Sequence, residues 1–183
     1  MRDTFEIKER LTGRVIVRNE SGDESIGHND VVYTGGDIIA QLLAGHPEYR
    51  ISHVYFEYEN TVGVPVAAAV DRTDRAGDIH GYTTPRDIVR AALIAEPLIA
   101  PADVDHDGNL VTFHALTTAS VGVLDGIPFS AASDSKIFAV CLIAAPAGSD
   151  HLQDVLYARF ILTTPVPVTG SGQASCTWLT KAN

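Results

Sequence analysis

The nine-residue run Ile137–Ala145, IFAVCLIAA, limits what this chain can become more than any other stretch. It contains no charge, and its apolar residues fall at odd and even positions alike. Roughly 20 apolar residues are needed to cross a bilayer, so the run is far too short to span one. In a β-strand successive side chains point to opposite faces, so a strand of this composition needs cover on both. The run therefore reads as the central strand of a sheet, and the rest of the chain must supply packing above and below it.

Other segments supply strands of that kind. ISHVYFEYEN alternates, with Val54, Phe56 and Tyr58 on one face and Tyr55, Glu57 and Glu59 on the other, as a half-buried strand does. LVTFHALTT alternates around Val111, Phe113 and Ala115, and DVLYARFILTT and QASCTWLT close the chain with two more strands. RDIVRAALIAEPLIAP carries helix-start residues in Thr84, Pro85 and Asp87, but its compact apolar runs broken by Pro97 and Pro101 favour a strand. At the start, TFEIKE and GRVIVR read as a hairpin bent at LTG, followed by a polar loop, NESGDESIGHND. Pro165 and Pro167 cannot donate to a ladder, which puts PVPV on an edge or at a crossover between sheets.

One helix is expected, over about 34–44 in YTGGDIIAQLLAGHP. Thr34 can cap it with Asp37 as capping-box partner, Ile38, Ile39, Leu42 and Leu43 form its stripe, and Gly45 and Pro47 stop it. About seven or eight strands with one helix argue a mostly β chain: a β-sandwich, with the jelly roll as its candidate form. At 183 residues the chain suits one domain, 1–183, with an N-terminal hairpin and a long surface loop near 61–85.

Thirteen Lys and Arg against 23 Asp and Glu leave a formal charge of -10, which repels phosphate backbones and anionic membranes. Neither nucleic acid nor a membrane is an expected partner. The first 19 residues carry charges throughout and read as no secretory signal, so synthesis in a cytosol is expected. Cys141 and Cys176 each sit in an apolar run and read as structural thiols.

Motifs with chemical potential are few. Asp103, Asp105, Asp107 and Gly108 match the first half of a D-x-D-x-D-G calcium loop, but the twelfth position is His114, not a bidentate Glu. Asp, Asn and Gly also build tight turns without metal, so DVDHDGN reads first as a turn and only weakly as a cation site, and no cofactor is expected. Glu57 and Glu59 lie two apart on one strand face, roughly 7 Å, a spacing that superficially suits an acid–base pair but that ordinarily just faces water. The seven histidines lack zinc-ligand spacing, and His53 and His114 read as sheet-surface residues. TGGD and TGSGQ lack the rest of a phosphate loop. Arg159, alone in the apolar strand LYARFIL, implies a sheet edge, an ion pair or a subunit interface. No nucleophile elbow or general-base motif accompanies these residues, so no enzyme is expected.

The succession VVYTGGDIIAQLLAG, ISHVYFEYEN, LVTFHAL, GIPFS, IFAVCLIAAP, DVLYARFIL and QASCTWLT resembles small virion structural proteins of tailed bacteriophages. In many of these a short helix ending in LLAG leads into an ISH strand, and the chain finishes on a strand carrying a Trp. Tail-associated and fibre-anchoring members continue the ISH strand into a Gly-containing segment. FEYEN stands there instead, so the resemblance points to capsid cement or decoration proteins. It implies a protein on the outer capsid surface that bridges major capsid subunits, with the major capsid protein and further copies of itself, as a dimer or trimer, for partners. The N-terminal hairpin and the 61–85 loop are the contact segments this implies. A head-tail neck or tail component is the nearest alternative, and a calcium-dependent carbohydrate-binding sandwich the alternative from another class.

Overall fold

The computed structural model describes residues 12–28, 30–46, 48–59, 73, 75–79, 88–101, 109–117, 135–168 and 173–182. Among these are ten strands: β1 (Thr12–Asn19), β2 (Glu24–His28), β3 (Asp30–Val31), β4 (Arg50–Glu59), β5 (Ile88–Ala92), β6 (Leu98–Pro101), β7 (Asn109–Leu116), β8 (Ser135–Ala145), β9 (Val155–Val168) and β10 (Ala174–Ala182). One helix, α1 (Tyr33–Leu43), lies between β3 and β4. The strands form two antiparallel five-stranded sheets, one in the order β2-β1-β10-β7-β6 and the other β3-β9-β8-β4-β5. The mostly β sandwich expected from the sequence is what forms.

The core lies between the sheets. Val15, Val17, Phe113, Ala115, Cys176 and Trp178 face inward from the first; Val54, Phe56, Tyr58, Val140, Leu142 and Phe160 meet them from the second. Trp178 stands in register between Val15 on β1 and Phe113 on β7, which puts the largest side chain at the middle of its sheet. IFAVCLIAA lies within β8, between β9 and β4, with every residue from Ile137 to Ala145 buried. A second cluster covers the outer face of this sheet: Val32, Tyr55, Ile88, Cys141, Ile143 and Leu156, capped by Ala76 and Ile79. The second sheet is thus a middle layer, as its composition demanded.

Several local expectations are corrected. Thr12 and Gly13 of LTG do not bend the chain; they lie inside β1, opposite Lys181 and Thr180. The TFEIKE arm falls outside the described residues. The polar stretch after β1 folds into β2, joined to it by a four-residue connection, Glu20 to Asp23, in which Gly22 takes φ 89°, the left-handed conformation such hairpins place on glycine. In the loop expected near 61–85, Ala76 and Ile79 are 5% and 3% exposed, so at least part of it is packing and not surface. RDIVRAALIAEPLIAP is two strands in different sheets. The corner between them bridges both: Leu93 N–H donates to Ser52 O of one sheet and Ile94 N–H to His114 O of the other, each at 3.0 Å.

At α1 the N-cap residue is Val32, not Thr34, and no side chain caps it. The Thr34 hydroxyl instead donates to Leu156 O, tying the helix to β9. Asp37 has no Thr34 cap to reciprocate, so the capping box does not form. The C-terminus stops as expected: Gly45 has φ 79°, His46 N–H donates to Gln41 O at 2.9 Å and Gly45 N–H to Leu42 O at 3.1 Å, a Schellman motif. Of the apolar stripe only Ile38 is buried and Ile39 partly so; Leu42 and Leu43 are 47% and 82% exposed. Pro165 and Pro167 lie in the C-terminal half of β9. Its partner β3 pairs only Arg159 and Ala158, so on that side no described strand pairs with Pro165 or Pro167, in keeping with their missing N–H.

Candidate functional site

The outer face of the second sheet gathers the ionisable groups. In one row across the sheet, Arg159, Cys141, Tyr55 and Arg90 are register partners from β9 to β5. Glu57 stands one row away on β4, opposite Ala139. Arg159 reaches over β8 to meet it, with Nε to Oε1 at 2.9 Å and Nη2 to Oε2 at 2.7 Å. The β8 side chains along this route, Cys141 and Ala139, are small, which leaves room for the guanidinium. The Cys141 thiol donates to Glu57 Oε1 at 3.0 Å. Arg159 and Glu57 side chains are 3% and 0% exposed. A charge at that depth is tolerated only when paired and hydrogen-bonded.

A second pair lies on the far side of Tyr55. Arg90 Nε and Nη2 hold Asp154 Oδ2 and Oδ1 at 2.8 and 2.7 Å, and the Tyr55 hydroxyl donates to Asp154 Oδ2. Burial alone would lower the Arg90 pKa, but the Asp154 carboxylate more than offsets it, so the guanidinium stays firmly charged. Asp154 ends a 3₁₀ turn (His151–Gln153) whose N-cap Asp150 accepts from Leu152 N–H. The pair therefore pins the start of β9 to β5. His53, two residues before Tyr55, bonds through Nδ1 to Ser52 Oγ at 2.7 Å. Burial, then the nearby Arg90 charge, lower its pKa to about 4, with Asp154 opposing.

Geometry revises the candidate residues. Glu57 does not face water; it is enclosed and committed to Arg159. Of the settings open to Arg159, the ion pair is the one observed, on a side chain that is itself buried. Cys141 and Cys176 are both buried and not joined in a disulfide, and burial pushes the Cys176 thiol pKa upward. His114 is exposed and bonds to Thr177, while His53 is half-buried. Asp103, Asp105 and Asp107 lie outside the described residues. Among the described residues no group of three or more His, Cys, Asp or Glu could hold a metal, and no helix is long and apolar enough to cross a membrane. Arg90, Asp154 and Tyr55 were missed. Their one sequence signal is Arg90 inside an apolar strand, the signal that marked Arg159.

The first sheet ends differently, in β6, whose one neighbour among the described strands is β7. On it and beside it Ile94, Leu98 and Ile99 are 51%, 65% and 68% exposed. Ile99 is in register with Val111, a residue packed against the core, so the core face of this sheet continues outward to an uncovered margin. The opposite edge of the same sheet is closed. β2 lies against β9, with the Phe160 ring so near Gly27 that a Cβ there would sit 2.3 Å from it.

No protein-family model matches this chain, and no curated protein or solved structure is detectably similar to it.

Proposed function

We propose that the protein is a structural component of a tailed-bacteriophage virion that binds the outer capsid surface and bridges major capsid subunits, as cement or decoration proteins do. The observation that carries the reading is the uncovered apolar margin at Ile94, Leu98 and Ile99, on a sandwich whose buried charges are matched in pairs. A sandwich with these two buried charge pairs satisfied internally and exposed apolar residues at one margin is suited to contact, since large apolar residues at a surface mark interaction sites. The charge of -10 favours the outside of a shell packed with nucleic acid, since repulsion opposes a position within. Many copies bridging neighbouring subunits would strengthen the shell, because each added interface must separate before the lattice yields. Closed symmetry at shell axes favours a dimer or trimer.

Copy number tests this. Quantifying the chain against the major capsid protein in purified particles should give a fixed ratio, on the order of hundreds of copies, because every equivalent lattice position is filled. About one ring, a dozen copies or fewer, would assign the chain to the neck or tail instead. Absence from particles would overturn the virion reading altogether.

A further inference from the structure

We infer that β6 is a docking edge that receives, as an added strand, a short extended segment of the partner with alternating apolar residues and Lys or Arg flanks. That the partner is the shell protein rests on the reading above; the mode of docking does not.

Three observations carry it. First, β6 has β7 on one side and no described strand on the other, so its outward backbone groups can accept a new strand. Secondly, Leu98 and Ile99 point to opposite faces of the sheet and are both exposed, so an added strand would find an apolar neighbour whichever face its own side chains use. Thirdly, charge selects the partner. Glu96 is the one charged residue in 91–101 and is exposed, and the whole chain carries -10, so at this edge a segment with basic flanks is favoured over the Glu96-bearing edge of a second copy, which leaves self-association to other surfaces. Pro97 and Pro101, which lack N–H groups, bound the pairing to Leu98, Ile99 and Ala100. So short a ladder serves repeated weak contacts, and the prolines oppose extension into an aggregate.

The probe is the amidated peptide KVTITVK, titrated into isotope-labelled full-length protein while amide resonances are followed. The expected result is perturbation centred on Leu98, Ile99 and Ala100, with affinity lowered about tenfold by Ile99→Lys, the loss of one apolar contact. Leu98→Lys is the second variant, since it alters the other face; melting temperatures should stay at the wild-type value because both residues are exposed. No perturbation at β6, or perturbation elsewhere, overturns the inference. Equal binding of EVTITVE overturns its charge selection. A dimer in sedimentation velocity that Ile99→Lys dissolves replaces the foreign strand with a second copy. Particles made with Ile99→Lys separate the two readings: full occupancy by the variant refutes β6 as the shell contact and leaves the shell protein standing. Peptide binding by a chain absent from particles does the reverse.

Discussion

The two sheets bury charge in opposite ways. In the first, Arg18 and Glu24 face each other across β1 and β2 with side chains 58% and 39% exposed, in water that screens them. In the second, Arg159 and Glu57 bond across an intervening strand at 3% and 0% exposure. The sequence pairs the same chemistry, an Arg with a Glu, in both places. What differs is the third layer: Ala76, Ile79 and Val32 cover the second sheet, whereas the first sheet carries exposed charges and ends in β6, which has exposed Leu98 and Ile99 and no described strand beyond it. A covered sheet must satisfy every charge internally, and an uncovered one need not.

The largest effect is expected at Arg159. Replacing it with Ala strands the Glu57 carboxylate, an uncompensated buried charge that costs about 3–5 kcal/mol. Arg18→Ala should cost less than about 1 kcal/mol, as exposed pairs do. Urea denaturation of both variants checks this, and Arg159→Met with Glu57→Leu should recover most of the loss, because an apolar pair needs no partner. Equal losses at Arg18 and Arg159 would refute the contrast.

The closed edge of the first sheet is the next test. Gly27→Ala would drive a Cβ into the Phe160 ring, an overpacking that costs roughly 1–3 kcal/mol. Phe160→Leu in the same chain should return part of it. An undiminished melting temperature for Gly27→Ala would mean that β2 and β9 can part without cost, leaving the first sheet open at both edges.

The smallest effect concerns His53. Its folded pKa of about 4 lies below the ordinary 6.5, so the unfolded chain binds the proton first as pH falls. The stability this supplies is complete above pH 6.5 and declines on acidification through the window down to about 4. In His53→Gln, unfolding free energy measured from pH 7 to 5 should fall less steeply than in the wild type. Parallel curves would show that the imidazole is as well solvated as in the unfolded chain.

Much of the fold was legible because it follows from local rules. The nine-residue run specified a central strand apolar on both faces, Gly45 specified a helix stop, and the prolines of PVPV specified an edge or a crossover, each through a property of a single segment. The misreadings have another origin. NESGDESIGHND looks like a loop because nothing apolar recurs in it, yet Ser25 is buried and Ile26 pairs with Ile16 once β1 offers a template. Thr34 has a capping residue's chemistry, but Leu156 O lay closer to hand. RDIVRAALIAEPLIAP has no signal for the change of sheet, since the corner depends on carbonyls of Ser52 and His114 from distant strands.

The candidate site divides along the same line. That Arg159 stood in an apolar strand was visible, and so was the choice among edge, ion pair and interface; Glu57 as its partner was not, because β4 and β9 meet only through β8. Alternation and composition by themselves determined a mostly β chain, a central strand at Ile137–Ala145, one helix and an acidic charge, since side-chain direction and net charge need no knowledge of neighbours. Which residues share a face across strands far apart in the chain was decided by tertiary structure alone. Register brought Glu57 to Arg159 and Asp154 to Arg90 and left β6 without a described partner on its outer side, because strand order is set by the packing of whole layers and not by any one segment.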